Sequence, residues 1–175
     1  MNTTPSIPEA IREQKHILRF GKNGEFRILV LSDIHGCPPG PCANTLAAIK
    51  AMVDHEKPDL VLFCGDDMER VESTEELKQA LSVMVAHLEE NHIPWAHVHG
   101  NHDDERFLVE GRRLQVLTRR QQTEVYTTFP YCLSKLGPAH IKGASNYVIP
   151  IYSSDQSRLE AHQPYVWRQF LDRGS

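Results

Sequence analysis

The stretch DLVLFCGDD, residues 59 to 67, decides how the chain is expected to fold. Its continuous apolar run from Leu60 to Cys64 is typical of a short strand buried on both faces, as in a parallel sheet. The run ends at Gly65, and two carboxylates, Asp66 and Asp67, follow at once. The stretch therefore predicts a buried strand that ends in a turn rich in polar groups.

Two further apolar runs flank this stretch along the chain. Residues 26 to 33, FRILVLSD, precede it, and residues 94 to 103, PWAHVHGNHD, follow it. Of the two segments between the runs, one has helical spacing and ends before Pro58. The other begins with Ser73 and Glu76, which have the spacing of a helical capping box. Strands that alternate with helices of this length predict an α/β fold with a βαβαβ core and a parallel sheet.

The remaining segments are less regular. We expect residues 1 to 24 to form a polar N-terminal arm and residues 25 to 175 to form one partial domain. Three later segments carry weaker patterns. A helix is predicted for residues 106 to 121, RFLVEGRRLQVLTRRQ, and a terminal helix for residues 165 to 173, YVWRQFLDR. A strand is predicted for residues 145 to 154, SNYVIPIYSS, in which Pro150 marks an edge or an end.

The bulk composition excludes several classes of protein. The chain has 175 residues, of which 40% are hydrophobic and 24% charged, with a formal net charge of −4. That charge makes nucleic acid an unlikely partner, and no apolar run reaches the roughly 20 residues that span a bilayer. The polar N-terminus lacks the apolar core of a signal peptide, which favours a cytoplasmic location. The four cysteines include no Cys-x-x-Cys pair; Cys37 and Cys42 are either free thiols, a local disulfide or metal ligands.

All three predicted strands end in groups that can bind a metal. Ligands of open α/β sheets bind outside the carboxyl ends of the strands, so these groups are expected to converge at one edge. They are Asp33 and His35 after the first strand, Asp66 and Asp67 after the second, and Asn101, His102 and Asp103 after the third. A mixture of hard oxygens and imidazole suits Mn, Fe or Zn better than Ca²⁺.

Such a cluster has an obvious chemical use. Two cations about 4 Å apart can clamp the attacking and leaving oxygens of a phosphoryl group, and a nearby histidine can protonate the leaving group. Each motif alone has an ordinary structural explanation as a surface turn or a helix cap. Their joint placement after three successive apolar strands favours one shared site.

The words DIH, GDD and GNHD resemble the first three signature blocks of the calcineurin-like metallophosphoesterases. LRFGKNGEFRILVLSDIHG, EKPDLVLFCGDDM and IPWAHVHGNHDDE are similar to the purple-acid-phosphatase-like, Dcr2-type branch of that family. The resemblance covers residues 17 to 105 and continues more thinly to about 155. It implies part of a sandwich that normally has four layers, αββα, and metal-dependent hydrolysis of phosphoric esters.

The resemblance also implies roles for single residues. Asp33 and His35 match ligands of a first metal, Asp66 matches the carboxylate that bridges two metals, and Asn101 matches a ligand of the second. His102 matches the catalytic imidazole beside the phosphate. Asp103 would orient that imidazole. Asp67 is expected to be a polar loop residue without a specific role.

The chain departs from the family after these blocks. The family has an isolated histidine and then Gly-His-x-His, whereas this chain has only His140 and His162 after His102. GPAHIKG, which contains His140, has the pattern of a β-turn. We therefore expect a shortened or truncated domain that is incomplete on its C-terminal side. Such a domain would hold at most one metal tightly, or would need a partner chain or an oligomer to complete the site.

Three functions remain open at this point. The first is a metal-dependent phosphoesterase, acting on a phosphomonoester, a phosphoprotein or a phosphodiester. The second is a catalytically incomplete domain that binds one metal or none and acts through protein contacts; the third is a nuclease of the same fold, which would need a basic groove.

Two further features have an open interpretation. The arginine-rich segment either binds an anionic substrate or forms a solvated helix face; it contains Arg112, Arg113, Arg119 and Arg120. In the third strand, His97 and His99 are expected to share one face.

Overall fold

The computed structural model describes residues 15–105, 108–109, 111–113, 116–155 and 161–167. Its strands are β1 (Leu18–Arg19), β2 (Ile28–Leu31), β3 (Leu60–Phe63), β4 (Trp95–His97), β5 (Leu108–Val109), β6 (Arg112–Arg113), β7 (Tyr147–Tyr152) and β8 (Ala161–Trp167). Its helices are α1 (Ala43–Glu56), α2 (Thr74–Met84), α3 (Ala86–Glu90) and α4 (Arg119–Tyr126). None of these helices is long and apolar enough to cross a membrane.

The first sheet consists of the three strands expected from the apolar runs. It has the order β2-β3-β4, and both pairs are parallel. Leu31 pairs with Phe63, and Phe63 pairs with His97, so the three carboxyl ends lie side by side. The predicted βαβαβ core with a parallel sheet is confirmed.

The helices between these strands are fixed by local signals in the sequence. Helix α1 ends at Lys57, which has a left-handed backbone (φ 47°) directly before Pro58. At the start of α2, the Ser73 side chain accepts a hydrogen bond from the Glu76 amide, and the Glu76 carboxylate accepts one from the Ser73 amide. This reciprocal arrangement is the predicted capping box.

Strand β3 is buried on both faces because it lies between two apolar layers. Val61 and Phe63 pack with the helices, in a cluster that includes Ile49 of α1 and Leu77 of α2. Leu60 and Leu62 point the other way and pack against a second sheet, described below. The described residues therefore form three of the four layers that the resemblance implies.

The second sheet has the order β1-β7-β8. Leu18 and Arg19 pair in parallel with Ile151 and Tyr152, so the end of the expected N-terminal arm belongs to this sheet. Strand β7 lies in the middle, and its pairing with β8 shifts register between Ile149 and Ile151. Pro150 therefore sits at an irregularity of a central strand rather than at an edge or an end, because a proline without an N–H is tolerated where the ladder is already broken.

Two predicted helices are wrong over the residues that the structure describes. In the segment from 106 to 121, β5 and β6 form a small antiparallel pair around Gly111, whose positive φ of 79° suits a tight turn, and α4 begins only at Arg119. The expected terminal helix from 165 to 173 overlaps β8, which continues to Trp167. Residues 168 to 175 lie outside the described part of the chain.

Candidate metal centre

The turns after β2, β3 and β4 meet at one edge of the first sheet, as the sequence predicts. The Asp33 amide donates a hydrogen bond to the Gly65 carbonyl (3.0 Å), and the His35 amide donates to the Asp66 carbonyl (2.9 Å). The His102 amide donates to Oδ1 of Asp66 (2.6 Å). Hydrogen bonds donated by backbone amides, two to carbonyls and one to a carboxylate, thus hold the three strand ends together.

The backbone of this edge is unusual in its dihedral angles. Asp33, His35 and Asp66 all adopt left-handed conformations, with φ of 56°, 50° and 55°. Asp and His adopt this conformation more readily than most residues other than glycine, and left-handed residues cluster at functional sites. Gly65 and Gly100 approach so closely that a Cβ on Gly65 would lie 2.5 Å from the Gly100 Cα atom. Only glycine permits this contact.

The ring of His35 is oriented by Glu69. Nδ1 of His35 contacts Oε1 of Glu69, which is nearly buried, so Nδ1 carries a proton and Nε2 faces the other way. This hydrogen bond, with the negative charge of Glu69, raises the pKa of His35. Nε2 lies 3.9 Å from Oδ1 of Asp33. Two ligand atoms of one ion with bonds of about 2.1 Å lie no more than about 4.2 Å apart, so the pair fits a single cation.

Asp66 and Asn101 also keep ligand atoms available. Oδ1 of Asp66 accepts the His102 amide, and the described residues give Oδ2 no hydrogen bond. Asn101 is exposed, and its side chain makes no hydrogen bond within the described part of the chain. Candidate ligand atoms thus lie on Asp66 and Asn101 as well as on Asp33 and His35. The carboxylates and imidazole of Asp33, His35 and Asp66 do not, however, come within 4.8 Å of one another as a set of three.

His102 lies beside the candidate ligands. Its ring centroid is 5.8 Å from that of His35. Its Nδ1 contacts Oε2 of Glu105, and this hydrogen bond raises the pKa of His102. Sequence reasoning did not find Glu105, although it lies three residues after His102, a spacing at which neighbouring side chains meet.

Asp103 is not where the resemblance places it. Its carboxylate is buried, and Oδ2 accepts hydrogen bonds from the amides of Gly100 (2.6 Å) and Asp66 (3.1 Å). The carboxylate that orients His102 is Glu105. Asp103 instead joins the second and third turns by bonding backbone groups in both.

Asp67, expected to be a polar loop residue without a specific role, packs in the interior. It is fully buried, and burial raises its pKa to about 6. Its Oδ2 lies 3.3 Å from Nε2 of His97, which is buried as well. The alternation that put His97 and His99 on one face is confirmed by ring centroids 4.7 Å apart, and burial lowers the pKa of His99 well below its ordinary value.

The arginine-rich segment divides between two environments. Arg119 donates from Nε to Oδ1 of Asp104 and from Nη2 to the Gly100 carbonyl, both at 2.9 Å, so it supports the third turn. Arg120 is exposed and pairs with Glu124 on the same helix. The two arginines of β6 lie outside any helix, because the segment forms a hairpin there.

The later histidines do not add described ligands to the edge. His140 is exposed in a turn closed by a hydrogen bond from the Ile141 amide to the Pro138 carbonyl (3.1 Å), as the GPAHIKG pattern predicts. His162 lies in β8, and its side chain is outside the described part of the structure. All four cysteines are free thiols, so the local disulfide is wrong.

Comparisons with known proteins identify the family of the sequence. A family model described as calcineurin-like phosphoesterase matches residues 26–170. The chain is 31% identical over 169 residues to "Phosphatase DCR2" of Saccharomyces cerevisiae. This match covers 85% of this chain and 27% of that protein. It is 31% identical over 187 residues to "Probable inactive purple acid phosphatase 29" of Arabidopsis thaliana, covering 96% of this chain and 45% of that protein. The chain spans less than half the length of these relatives. It belongs to the calcineurin-like phosphoesterase family.

Proposed function

We propose that this chain carries the metal-binding edge of a phosphoric ester hydrolase. The observation that supports this most is the meeting of three strand ends, which brings Asp33, His35, Asp66, Asn101 and His102 to one side of the sheet. The substrate class is a phosphomonoester, a phosphoprotein or a phosphodiester. The cofactors are divalent cations of Mn, Fe or Zn, which carboxylate, amide and imidazole ligands suit.

The ligands divide unequally between two cations. Asp33, His35 and Asp66 would hold the first, and Asp66 and Asn101 the second. Because ligand number largely sets affinity among similar ligands, we expect one tightly bound metal near Asp33 and His35. Bound cations would supply Lewis-acid stabilisation of the phosphoryl charge and would make water more acidic.

The protein's own groups act around these cations. Asn101 is a neutral ligand, so it adds no negative charge that would repel the phosphate. His102, protonated under the influence of Glu105, donates a proton from Nε2 to the leaving oxygen as the ester bond breaks. Glu105 holds Nδ1 and thereby fixes the orientation of the ring.

Hydrolysis of an aryl phosphate monoester and of the corresponding diester, with added Mn²⁺, tests the proposal. His102→Ala should lower the rate about 10²- to 10⁴-fold, the usual range for a positioned acid or base, with the metal content unchanged. His55→Ala removes a histidine whose side chain is 85% exposed on α1 and serves as the matched control. Asn101→Ala should instead lose the second metal. If His102→Ala strips the metals but leaves the rate per bound metal intact, His102 is a ligand and the assignment is wrong.

A second candidate function is a domain that binds a metal without catalysis. It is favoured by the similarity of this chain to "Probable inactive purple acid phosphatase 29" of Arabidopsis thaliana. Metal binding at the edge without hydrolysis of either ester would support this function and contradict the first.

A further inference from the structure

Beneath the edge lies a second group of potential ligands that the proposed hydrolysis does not use. His97, His99 and Asp103 are buried, with exposed fractions of 5% or less. One ligand atom from each of the three lies within 4.8 Å of the other two, and this is the one such group of His, Cys, Asp and Glu side chains among the described residues. We call it the buried cluster.

The distances within the buried cluster are close to those of a coordination sphere. Nε2 of His97 lies 4.0 Å and Nδ1 of His99 lies 3.9 Å from Oδ2 of Asp103. Asp67 approaches from the neighbouring turn, with Oδ2 at 3.3 Å from Nε2 of His97. In a tetrahedral zinc site with bonds of about 2.0–2.1 Å, neighbouring ligand atoms lie about 3.4 Å apart. The two distances to Asp103 need to shorten by roughly half an ångström. Asp67 contacts His97 but lies outside the set of three, so it would have to move further to become a ligand.

Hydrogen bonding fixes which nitrogen of His99 faces the cluster. Thr123 donates its hydroxyl proton to the Arg119 carbonyl (2.8 Å), so its oxygen accepts from Nε2 of His99 (2.8 Å). The proton of a neutral His99 ring is therefore on Nε2. Nδ1 presents a lone pair toward the carboxylate of Asp103, which is the tautomer that a metal ligand requires.

The buried carboxylates of Asp103 and of the neighbouring Asp67 require a compensating positive charge. Oδ1 of Asp67 and Oδ1 of Asp103 are both buried without a hydrogen bond from the described residues. Arg119, a cationic side chain close by, is already used by Asp104 and the Gly100 carbonyl. Carboxylates are rarely buried unless they are paired or coordinate a metal, because desolvation costs several kcal/mol per ion.

We propose that His97, His99 and Asp103 form a buried structural site for a divalent transition metal of the zinc class, and that Asp67 moves in from beside His97 as the fourth ligand. Two imidazole nitrogens and two carboxylate oxygens favour Zn²⁺ over Mg²⁺ or Ca²⁺, which prefer sites made of oxygen alone. The metal would tie the turn after β3, through Asp67, to the turn after β4, through Asp103. It would thus fix from below the two turns that carry Asp66 and Asn101.

The experiment must separate this site from the edge. The background protein is the full chain with Asp33→Asn and His35→Gln, which removes two ligands of the edge site but none of the buried cluster. After incubation with Zn²⁺ and gel filtration, the background protein should retain about one Zn²⁺ per chain by elemental analysis. Co²⁺ in its place should give the intense visible absorption of tetrahedral coordination. Adding His97→Gln should abolish both signals, and adding His55→Gln should leave both unchanged.

The outcomes decide the proposal independently of enzymatic activity. A background protein that retains no Zn²⁺, or a His97→Gln variant that retains it fully, overturns the buried metal site. If His97→Gln does not fold, the background protein alone is decisive. Excess Zn²⁺ should then raise its Tm, and Co²⁺ should give the tetrahedral spectrum. The absence of both effects overturns the proposal.

Discussion

Replacing Gly100 by alanine should break the edge of the sheet at its most crowded point. A Cβ at this position would lie 2.5 Å from Cγ of Asp66 and 2.6 Å from the Asp66 amide nitrogen. Ordinary contacts of this kind are about 3.5–4.0 Å, so the Asp66 carboxylate would have to move by roughly 1 Å. That carboxylate accepts the His102 amide at 2.6 Å, and the shift would lengthen or break this hydrogen bond.

The size of the effect follows from these two contributions. Forcing an extra carbon into a packed site costs about 1–3 kcal/mol, and losing a hydrogen bond to a charged group costs about 1.5–3 kcal/mol. We therefore expect Gly100→Ala to lower the free energy of unfolding by about 2.5–6 kcal/mol, measured by urea denaturation. The displaced carboxylate should also weaken metal binding at the edge, measured by calorimetric titration with Mn²⁺.

Gly111→Ala is the matched control. A Cβ there meets nothing within 4 Å, but φ is +79°. The free energy of unfolding should therefore fall only by the cost of a left-handed backbone, about 1–2 kcal/mol. Its metal binding should be unchanged. If Gly100→Ala were as stable as Gly111→Ala and bound Mn²⁺ as tightly as the unaltered protein, the close packing of Gly100 against Asp66 would be refuted.

Three other predictions follow from single contacts. Glu69→Gln removes the carboxylate that holds the His35 ring and should weaken the first metal 10–100-fold, measured by titration with Mn²⁺. Ser73→Ala removes the capping box of α2 and should lower the free energy of unfolding by about 1 kcal/mol in urea denaturation. With an aromatic disulfide reagent at pH 8, Cys42 should react fast, because the Thr45 hydroxyl lowers its pKa, whereas Cys132 should react only on unfolding, because burial raises its pKa to about 11.

Each of these predictions has an outcome that contradicts it. Ser82→Ala, in the same helix but away from its N-terminus, should change the stability little; an equal loss in both serine variants would exclude a capping effect. Unchanged affinity in Glu69→Gln would mean that Glu69 does not orient the ligand. Rapid labelling of native Cys132 would mean that the thiol is accessible rather than buried.

The sequence was sufficient where the deciding signals are local. Continuous apolar runs predicted β2, β3 and β4, and the spacing of Ser73 and Glu76 predicted the start of α2. Because parallel strands carry their carboxyl ends to one edge, the meeting of Asp33, Asp66 and His102 followed from the fold class alone. Periodicity failed at Gly111, where a turn interrupts a segment whose apolar residues have helical spacing.

The partners of the site residues were not predictable because they depend on tertiary packing. Nothing in GDDMER distinguishes Glu69, which orients His35, from Asp67, which is buried beneath the edge. The same limit explains Asp103. A motif gives the residue type at a position but not the direction of its side chain. The packing of the turns after β3 and β4 directs the Asp103 carboxylate away from the His102 ring and toward backbone amides.

The candidate ligands Asp33, His35 and Asp66 lower the stability of the fold through their left-handed backbone. A non-glycine residue in this conformation costs roughly 1–2 kcal/mol, and glycine avoids that cost while giving up about 0.5–1 kcal/mol in chain entropy. Glycine at any of the three positions would therefore relieve the backbone and delete a candidate metal ligand, although at Asp66 it would also remove the acceptor of the His102 amide. In a lineage that no longer needed the metals, selection for stability alone would erode this edge first, one ligand at a time, while leaving the three strands intact.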